Sequence, residues 1–214
     1  MIPEAIVSAS RLLVAERLTV GTSGNISVRG EDRIWITPSG VAPEAMQADQ
    51  IVGVAVDGGP AETTALRPSS EVQFHLRIYR ARDDVGAVVH THSPWATAVS
   101  CARRGLPPFH YMMVGTGDGT LKCAPYDPPG SDRLAINVVE ALGQRSACLL
   151  ANHGVVATGP DLDAALAMAC EVEMLAQQYC LTRLIGEPAL LNQEQVTELA
   201  GIFKAYGQAG GQAT

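Results

Sequence analysis

Short apolar runs occur in this chain as neighbouring pairs, and such pairs restrict it to a sheet that is largely antiparallel. Ile26 and Val28 alternate with polar residues, Ile34 and Ile36 form a second run on either side of Trp35, and the turn Gly30-Glu31-Asp32 separates the two runs. ACLLAN (147–152) is followed in the same way by GVVAT (154–158). Two further runs stand apart from these pairs, IVGVAV (51–56), which ends in the turn Asp57-Gly58-Gly59-Pro60, and GAVVHTH (86–92). Strands joined by tight turns run antiparallel, whereas a doubly wound parallel sheet needs a helical crossover between each pair.

Helical periods fill the stretches between the runs. Ile2, Ile6, Ala9 and Leu13 predict an amphipathic helix over 3–19 that ends near Gly21. Ser70 and Gln73 have capping-box form ahead of Val72, Leu76 and Tyr79. Pro94 opens a helix to about Arg103, another covers 131–143, and Leu162, Leu166, Ala169, Val172, Ala176 and Tyr179 mark a long one to about Ile185. A last helix spans roughly 193–205, ahead of a Gly/Gln/Ala tail that is expected to be flexible from about 207. No internal repeat or linker divides the chain, so residues 1–214 are expected to form a single domain.

Composition excludes several classes of function. The net charge of −7 is unlike a nucleic-acid binder, which clusters Lys and Arg. No stretch is long and apolar enough to span a bilayer. The N-terminus is apolar but carries Glu4 and lacks the basic start of a signal peptide. The five cysteines are odd in number and widely spaced, which suggests neither a disulfide framework nor a thiolate zinc site. These features predict a soluble cytoplasmic protein with no nucleic-acid or membrane partner.

Chemistry concentrates in a few histidines. His90 and His92 lie at positions i and i+2 of an apolar strand, so both face the same way about 7 Å apart along the chain. His153 also follows a buried strand, and is itself followed by Gly154. Three imidazoles with no cysteine nearby suit zinc, and also manganese, cobalt or nickel. A histidine at a strand end is equally a hydrogen-bonded rim residue, and the pattern alone leaves both readings open. His75, between Phe74 and Leu76 in a helix, reads as structural, and His110 in PPFHYMM reads either way.

Three segments are rich in small hydrogen-bonding residues: Gly21–Asn25, Thr37–Gly40 and Ser69-Ser70-Glu71. Glycine allows close approach of backbone N–H groups, and Ser69-Ser70 precede an expected helix N-terminus, which favours an anion. The same residues also serve as turns and a cap. Glu71, next to them, either complements the helix dipole or stands as a carboxylate beside a metal, able to ligate it or carry a proton.

Taken together, the segments GTSGNISVR (21–29), ITPSG (36–40), RPSSE (67–71), VVHTHS (88–93), FHYMM (109–113), CAPY (123–126), NHG (152–154) and FKAYG (203–207) resemble the class II aldolase/epimerase family, whose members include the adducin head, and within it the L-fuculose-1-phosphate aldolase branch. The resemblance covers about residues 5 to 207. It implies an α/β three-layer sandwich, with a central, mainly antiparallel sheet between helical layers. It further implies a fourfold homotetramer with active sites at subunit interfaces. Matched by motif, His90, His92 and His153 would hold zinc, with Glu71 a fourth ligand that swings away to act as acid/base. The phosphate of a sugar would sit among Gly24, Asn25, Thr37, Ser39, Gly40, Ser69 and Ser70. Tyr111 would reach in from a neighbouring subunit to handle a proton on the cleaved alcohol, and Tyr206 would be a second tyrosine at the substrate.

The implied activity is cleavage of a ketose 1-phosphate to dihydroxyacetone phosphate and an aldehyde, the ketose being L-fuculose or a 5-deoxy- or 5-methylthio-ribulose of the nucleoside salvage kind. Breaking a C–C bond beside a ketone requires an electron sink, either a lysine Schiff base or a metal. The chain has only two lysines, Lys122 and Lys204, and that scarcity favours the metal. Two relatives of the same fold remain as alternatives, a sugar-phosphate 4-epimerase and a methylthioribulose-1-phosphate dehydratase. Epimerases typically carry Asp where this chain has Glu71, and the HYM and CAPY segments fit the aldolase branch better than the dehydratases. A non-catalytic binding module of the adducin kind would be expected to lose the histidines and Glu71, all of which are present.

Overall fold

Seven strands form one sheet in the order β3-β2-β1-β4-β7-β6-β5 in a computed structural model, which describes residues 1–57, 59 and 66–208, with side chains as far as Phe203. The strands are β1 (Asn25–Arg29), β2 (Arg33–Ile36), β3 (Val52–Ala55), β4 (Ala87–Thr91), β5 (Cys123–Ala124), β6 (Ala147–Leu150) and β7 (Gly154–Gly159). Every pairing is antiparallel except that of β5 with β6. The expected mainly antiparallel sheet is therefore present. Both sequence-adjacent pairs form hairpins, Arg29 opposite Ile34 and Leu150 opposite Gly154. Of the turn read after the third run, Gly58 and Pro60 lie outside the described residues.

Among the described residues are six helices, α1 (Ile2–Ala15), α2 (Val72–Ala81), α3 (Pro94–Cys101), α4 (Asp132–Leu142), α5 (Leu162–Ile185) and α6 (Gln193–Gln208), of which the first five cover the two faces and α6 packs on the turn at Tyr111–Thr116. Side chains alternate across the sheet, as the two-residue period of a strand demands. Ile26, Ala87, Val89, Leu149, Val155 and Ala157 join one apolar core with α1, α3 and α5. Ile34, Ile36, Val88, Cys148, Leu150 and Val156 join a second with α2 and α4. The result is three layers. All of β4 is buried, which is why its sequence reads as a continuous apolar run rather than an alternating one.

Two local expectations are corrected. The first helix ends at Ala15 rather than near Gly21, because Arg17 turns into the left-handed region (φ 58°). There Leu18 N–H donates to Leu13 O at 2.8 Å and Arg17 N–H to Val14 O at 3.0 Å, a Schellman closure with arginine in the usual glycine place. The capping box of Ser70 and Gln73 does not form. Glu71 is the N-cap of α2, without a side-chain cap bond, and its own N–H donates to Ser69 Oγ at 3.3 Å. The two-residue β5 and the 3-10 turns at Ala48–Gln50 and Tyr111–Thr116 were not anticipated from the sequence.

Candidate active site and metal centre

His90, His92, His153 and Glu71 come from three separate places in the chain and meet at one end of the sheet. His90 is the fourth residue of β4, and His92 lies just past its end. His153 closes the three-residue turn between β6 and β7, and Glu71 heads α2 on the face that covers β1 and β4. The turn is aimed by Asn152, which adopts the left-handed conformation (φ 55°) and donates its N–H to Ser100 O at 3.1 Å. Gly154 is required for a steric reason. A Cβ there would lie 2.3 Å from Thr91 O and 2.9 Å from His92 Cδ2, so no other residue lets the turn close onto the end of β4.

The ligand-type atoms of the four residues all lie within 4.8 Å of one another. His90 Nε2 stands 3.0 Å from His92 Nε2 and 3.1 Å from Glu71 Oε2, and His153 Nε2 stands 3.2 Å from Glu71 Oε1. The three rings meet edge to face, with centroids 4.8 to 5.0 Å apart. His90 and Glu71 are buried, while His92 and His153 are partly exposed, so the cluster opens to one side.

Proton bookkeeping shows what such a cluster can hold. A carbonyl only accepts, so the 2.7 Å contact between His90 Nδ1 and Val155 O places a proton on Nδ1 and leaves Nε2 as the nitrogen that faces the cluster. Burial, and then the neighbouring His90, push His92 and His153 down to about 4, so both are neutral at pH 7. Burial works to raise the Glu71 carboxyl, but His90, His153 and the Asn25 amide outweigh it and hold the group well below the usual carboxylate range. Glu71 Oε1 is buried without a hydrogen-bond partner. Three imidazole nitrogens and a carboxylate converge with too few protons to satisfy one another, and this donor set fits a divalent cation.

Around the cluster the small polar loops lie side by side. Ser69 N–H donates to Thr37 O and Ser39 N–H to Arg67 O, each at 3.0 Å, and Pro38 bridges to Pro68. Thr37 is buried, its hydroxyl accepting from Ile26 N–H at 3.2 Å, whereas Ser39, Gly40 and Ser70 are exposed. Gly24 (φ 78°) passes so close to β4 that a Cβ would lie 2.9 Å from His90 O. Gly24, Asn25 and Thr37 line a cleft beside α1. The Asn25 amide points instead to the cluster, donating to Glu71 Oε2 at 3.0 Å. Tyr111 opens the second 3-10 turn half-exposed, its ring tilted against those of His110 and Phe203, with no described hydrogen bond to the cluster. The side chain of Tyr206 lies outside the described residues.

From the sequence Asn25 is expected at the phosphate and His75 in a structural role, with no link from either to Glu71. His75, fully buried as its structural reading requires, places Nε2 2.5 Å from Asn25 Oδ1 and Nδ1 2.7 Å from Ser27 Oγ. Tyr79 OH lies 2.9 Å from Ser27 Oγ and donates to Ser27 O at 3.0 Å. The signal was available: Glu71, His75 and Tyr79 recur every fourth residue along one face of α2, and Asn25 and Ser27 share one face of β1. Burial, and then His90, push His75 down to about 3, and burial pushes the Tyr79 hydroxyl well up.

The family model for the class II aldolase and adducin N-terminal domain matches residues 4–180. A 5-methylthioribulose-1-phosphate/5-deoxyribulose-1-phosphate aldolase of Rhodospirillum rubrum is 40% identical over 205 residues, covering 94% of this chain and 90% of that protein. The L-fuculose phosphate aldolase of Escherichia coli K12 is 41% identical over 191 residues, covering 89% and 88%. A solved structure of an L-fuculose 1-phosphate aldolase superposes with a TM-score of 0.92 at 36% identity, covering 95% of this chain and 96% of that one. A sheet of the same kind, a convergent His/Glu cluster and these likenesses over nearly the whole length lead to one conclusion: the chain belongs to the class II aldolase and adducin N-terminal domain family.

Proposed function

We propose that the protein is a zinc-dependent aldolase that cleaves a ketose 1-phosphate to dihydroxyacetone phosphate and an aldehyde. The observation that carries this reading is the convergence of His90, His92, His153 and Glu71 at one end of the sheet, beside loops suited to a phosphate. The named activities of the relatives point to L-fuculose 1-phosphate and to 5-deoxy- or 5-methylthio-ribulose 1-phosphate as the substrates to test.

In this reading His90, His92, His153 and Glu71 hold the ion, and zinc suits three nitrogens and one oxygen better than an all-oxygen cation would. A divalent ion held by these four residues would supply Lewis acidity at the ketose carbonyl, an electron sink for C3–C4 cleavage. The protein's own groups manage the protons. Tyr111, supplied by a neighbouring subunit, relays to solvent the proton that the C4 hydroxyl loses as the aldehyde forms. Glu71 then passes a proton taken from solvent to C3, so dihydroxyacetone phosphate is released with one proton given up and one gained. The loops of Gly24, Thr37, Ser39, Gly40, Ser69 and Ser70, of which Ser39, Gly40 and Ser70 are exposed, hold the phosphate and fix C3 beside Glu71, and Asn25 braces that carboxylate. Tyr206 belongs to the same substrate wall.

The proposal includes a homotetramer of single-domain chains, with Tyr111 crossing between subunits. The half-exposed position of Tyr111 and the exposed apolar end of α5, where Leu184 and Ile185 stand 83% and 90% open, support burial against another copy. Five free thiols suit the reducing cytoplasm. The test is a panel of ketose 1-phosphates assayed with the zinc-loaded enzyme for release of dihydroxyacetone phosphate. Release from at least one of the three named substrates is expected. Formation of only an epimer or a dehydrated ketose would overturn the reading in favour of the other chemistries of this fold.

A further inference from the structure

Behind Glu71 a chain of buried hydrogen bonds runs from the middle of α2 to the metal cluster, and its direction follows from Glu71 outward. A carboxylate only accepts, so the Asn25 amide must turn its NH2 toward Glu71 Oε2 and its Oδ1 the other way. Oδ1 also only accepts, so the His75 nitrogen 2.5 Å from it, Nε2, must carry a proton. In the neutral ring Nδ1 is then an acceptor, and Ser27 Oγ–H, 2.7 Å away, donates to it. Tyr79 stands at the far end, its hydroxyl donating to the Ser27 main-chain O at 3.0 Å and lying 2.9 Å from Ser27 Oγ. From Ser27 Oγ to Glu71 every donor points the same way. His75 is 0% exposed, Tyr79 1% and Ser27 0%, so no water competes for any link.

We propose that His75 is a positioning residue: held as its Nε2–H tautomer by Ser27, it locks the Asn25 amide and thereby fixes where Glu71 rests and returns. This rests on the function proposed above, in which Glu71 both ligates the ion and carries the C3 proton, and it adds a residue that touches neither substrate nor metal. The reason for a lock is geometric. Glu71 is the N-cap of α2 with no cap bond of its own, so the amide of Asn25 is the fixed neutral donor to a carboxylate that has to move. Without His75 the amide is free to rotate by half a turn and present its oxygen to Glu71, which repels the carboxylate. An i, i+4 placement on one helix holds His75 and Glu71 in step.

The experiment uses the zinc-loaded full chain and the variants His75→Leu, His75→Gln and Ser27→Ala. The readouts are exchange of the hydroxymethyl proton of dihydroxyacetone phosphate with solvent deuterium, followed by NMR, and the rate at which a chelator strips zinc. Exchange reports proton transfer at Glu71 without C–C cleavage. His75→Leu is expected to slow exchange and to speed zinc loss, each by about tenfold, with KM for the ketose 1-phosphate nearly unchanged. Gln can offer an amide NH2 where Nε2 stands, so His75→Gln should recover most of both losses. Ser27→Ala removes only the donor to Nδ1 and should give a smaller loss of the same kind, which keeps the test available if His75→Leu does not fold. Parental exchange and zinc retention in His75→Leu, or in Ser27→Ala should the first fail to fold, would overturn the positioning role while leaving the aldolase reading intact. So would a His75→Gln as impaired as His75→Leu. A parent enzyme that neither retains zinc nor exchanges the proton would bring down both.

Discussion

At the scale of single residues the account turns on protons. Glu71 has the geometry of both a ligand and a proton carrier, 3.1 Å from His90 and 3.2 Å from His153 with one oxygen unpartnered. Glu71→Gln keeps the shape and removes the basic oxygen, so kcat should fall by about 10²–10⁴-fold with the fold intact, as steady-state kinetics and circular dichroism would show. Tyr111→Phe should lower kcat similarly while leaving proton exchange on dihydroxyacetone phosphate in place, because it acts on the other fragment. Near-parental kcat in both variants would refute the assigned roles. In the metal-free chain His75, His92 and His153 all sit below an ordinary histidine, at about 3, 4 and 4. The unfolded chain therefore binds more protons below about pH 6.5, and thermal stability should fall as pH drops from there toward 4. A melting temperature that rises over this range would contradict the neutral assignment. The four clustered residues could all be named from the sequence, because motif and strand spacing mark them. The chain from His75 to Glu71 could not, because linking Asn25 to His75 requires knowing which face of β1 meets which face of α2.

At the scale of elements, the sequence located most strands and helices because their periods are plain, as in Val88-Val89 of β4 and the four-residue recurrence in α5. It misplaced ends wherever tertiary contacts chose between equally good local options. Arg17 ends α1 although arginine carries no left-handed preference, because Leu18 is then drawn into the core as the Schellman pair closes. β5 has two residues and no period to read, and only the neighbouring β6 makes it a strand. Caps that bond locally are a different matter. Asp161 accepts from Ala164 N–H at 2.8 Å at the head of α5, so Asp161→Ala should lower stability by about 1 kcal/mol in denaturant melts and leave zinc content unchanged. Gly154→Ala, which drives a Cβ into Thr91 O, should destabilise by about 1–3 kcal/mol and also loosen zinc, since the displaced turn carries His153.

At the scale of the whole molecule, a three-layer sandwich brings three distant segments to one end of the sheet, where strand ends and a helix start can share an ion. The layers explain the burial of β4, and His92 and His153 leave the cluster open on one side. The exposed apolar end of α5 belongs to the proposed assembly. Leu184→Asp combined with Ile185→Asp should shift the protein from tetramer toward smaller species in sedimentation, and activity should fall with it if Tyr111 crosses between subunits. The central claim is tested most directly by stripping the purified enzyme of metal and assaying release of dihydroxyacetone phosphate before and after zinc is restored. The account predicts about one zinc per chain, cleavage lost on stripping and regained on reloading. Cleavage at the full rate by the metal-free protein would contradict it.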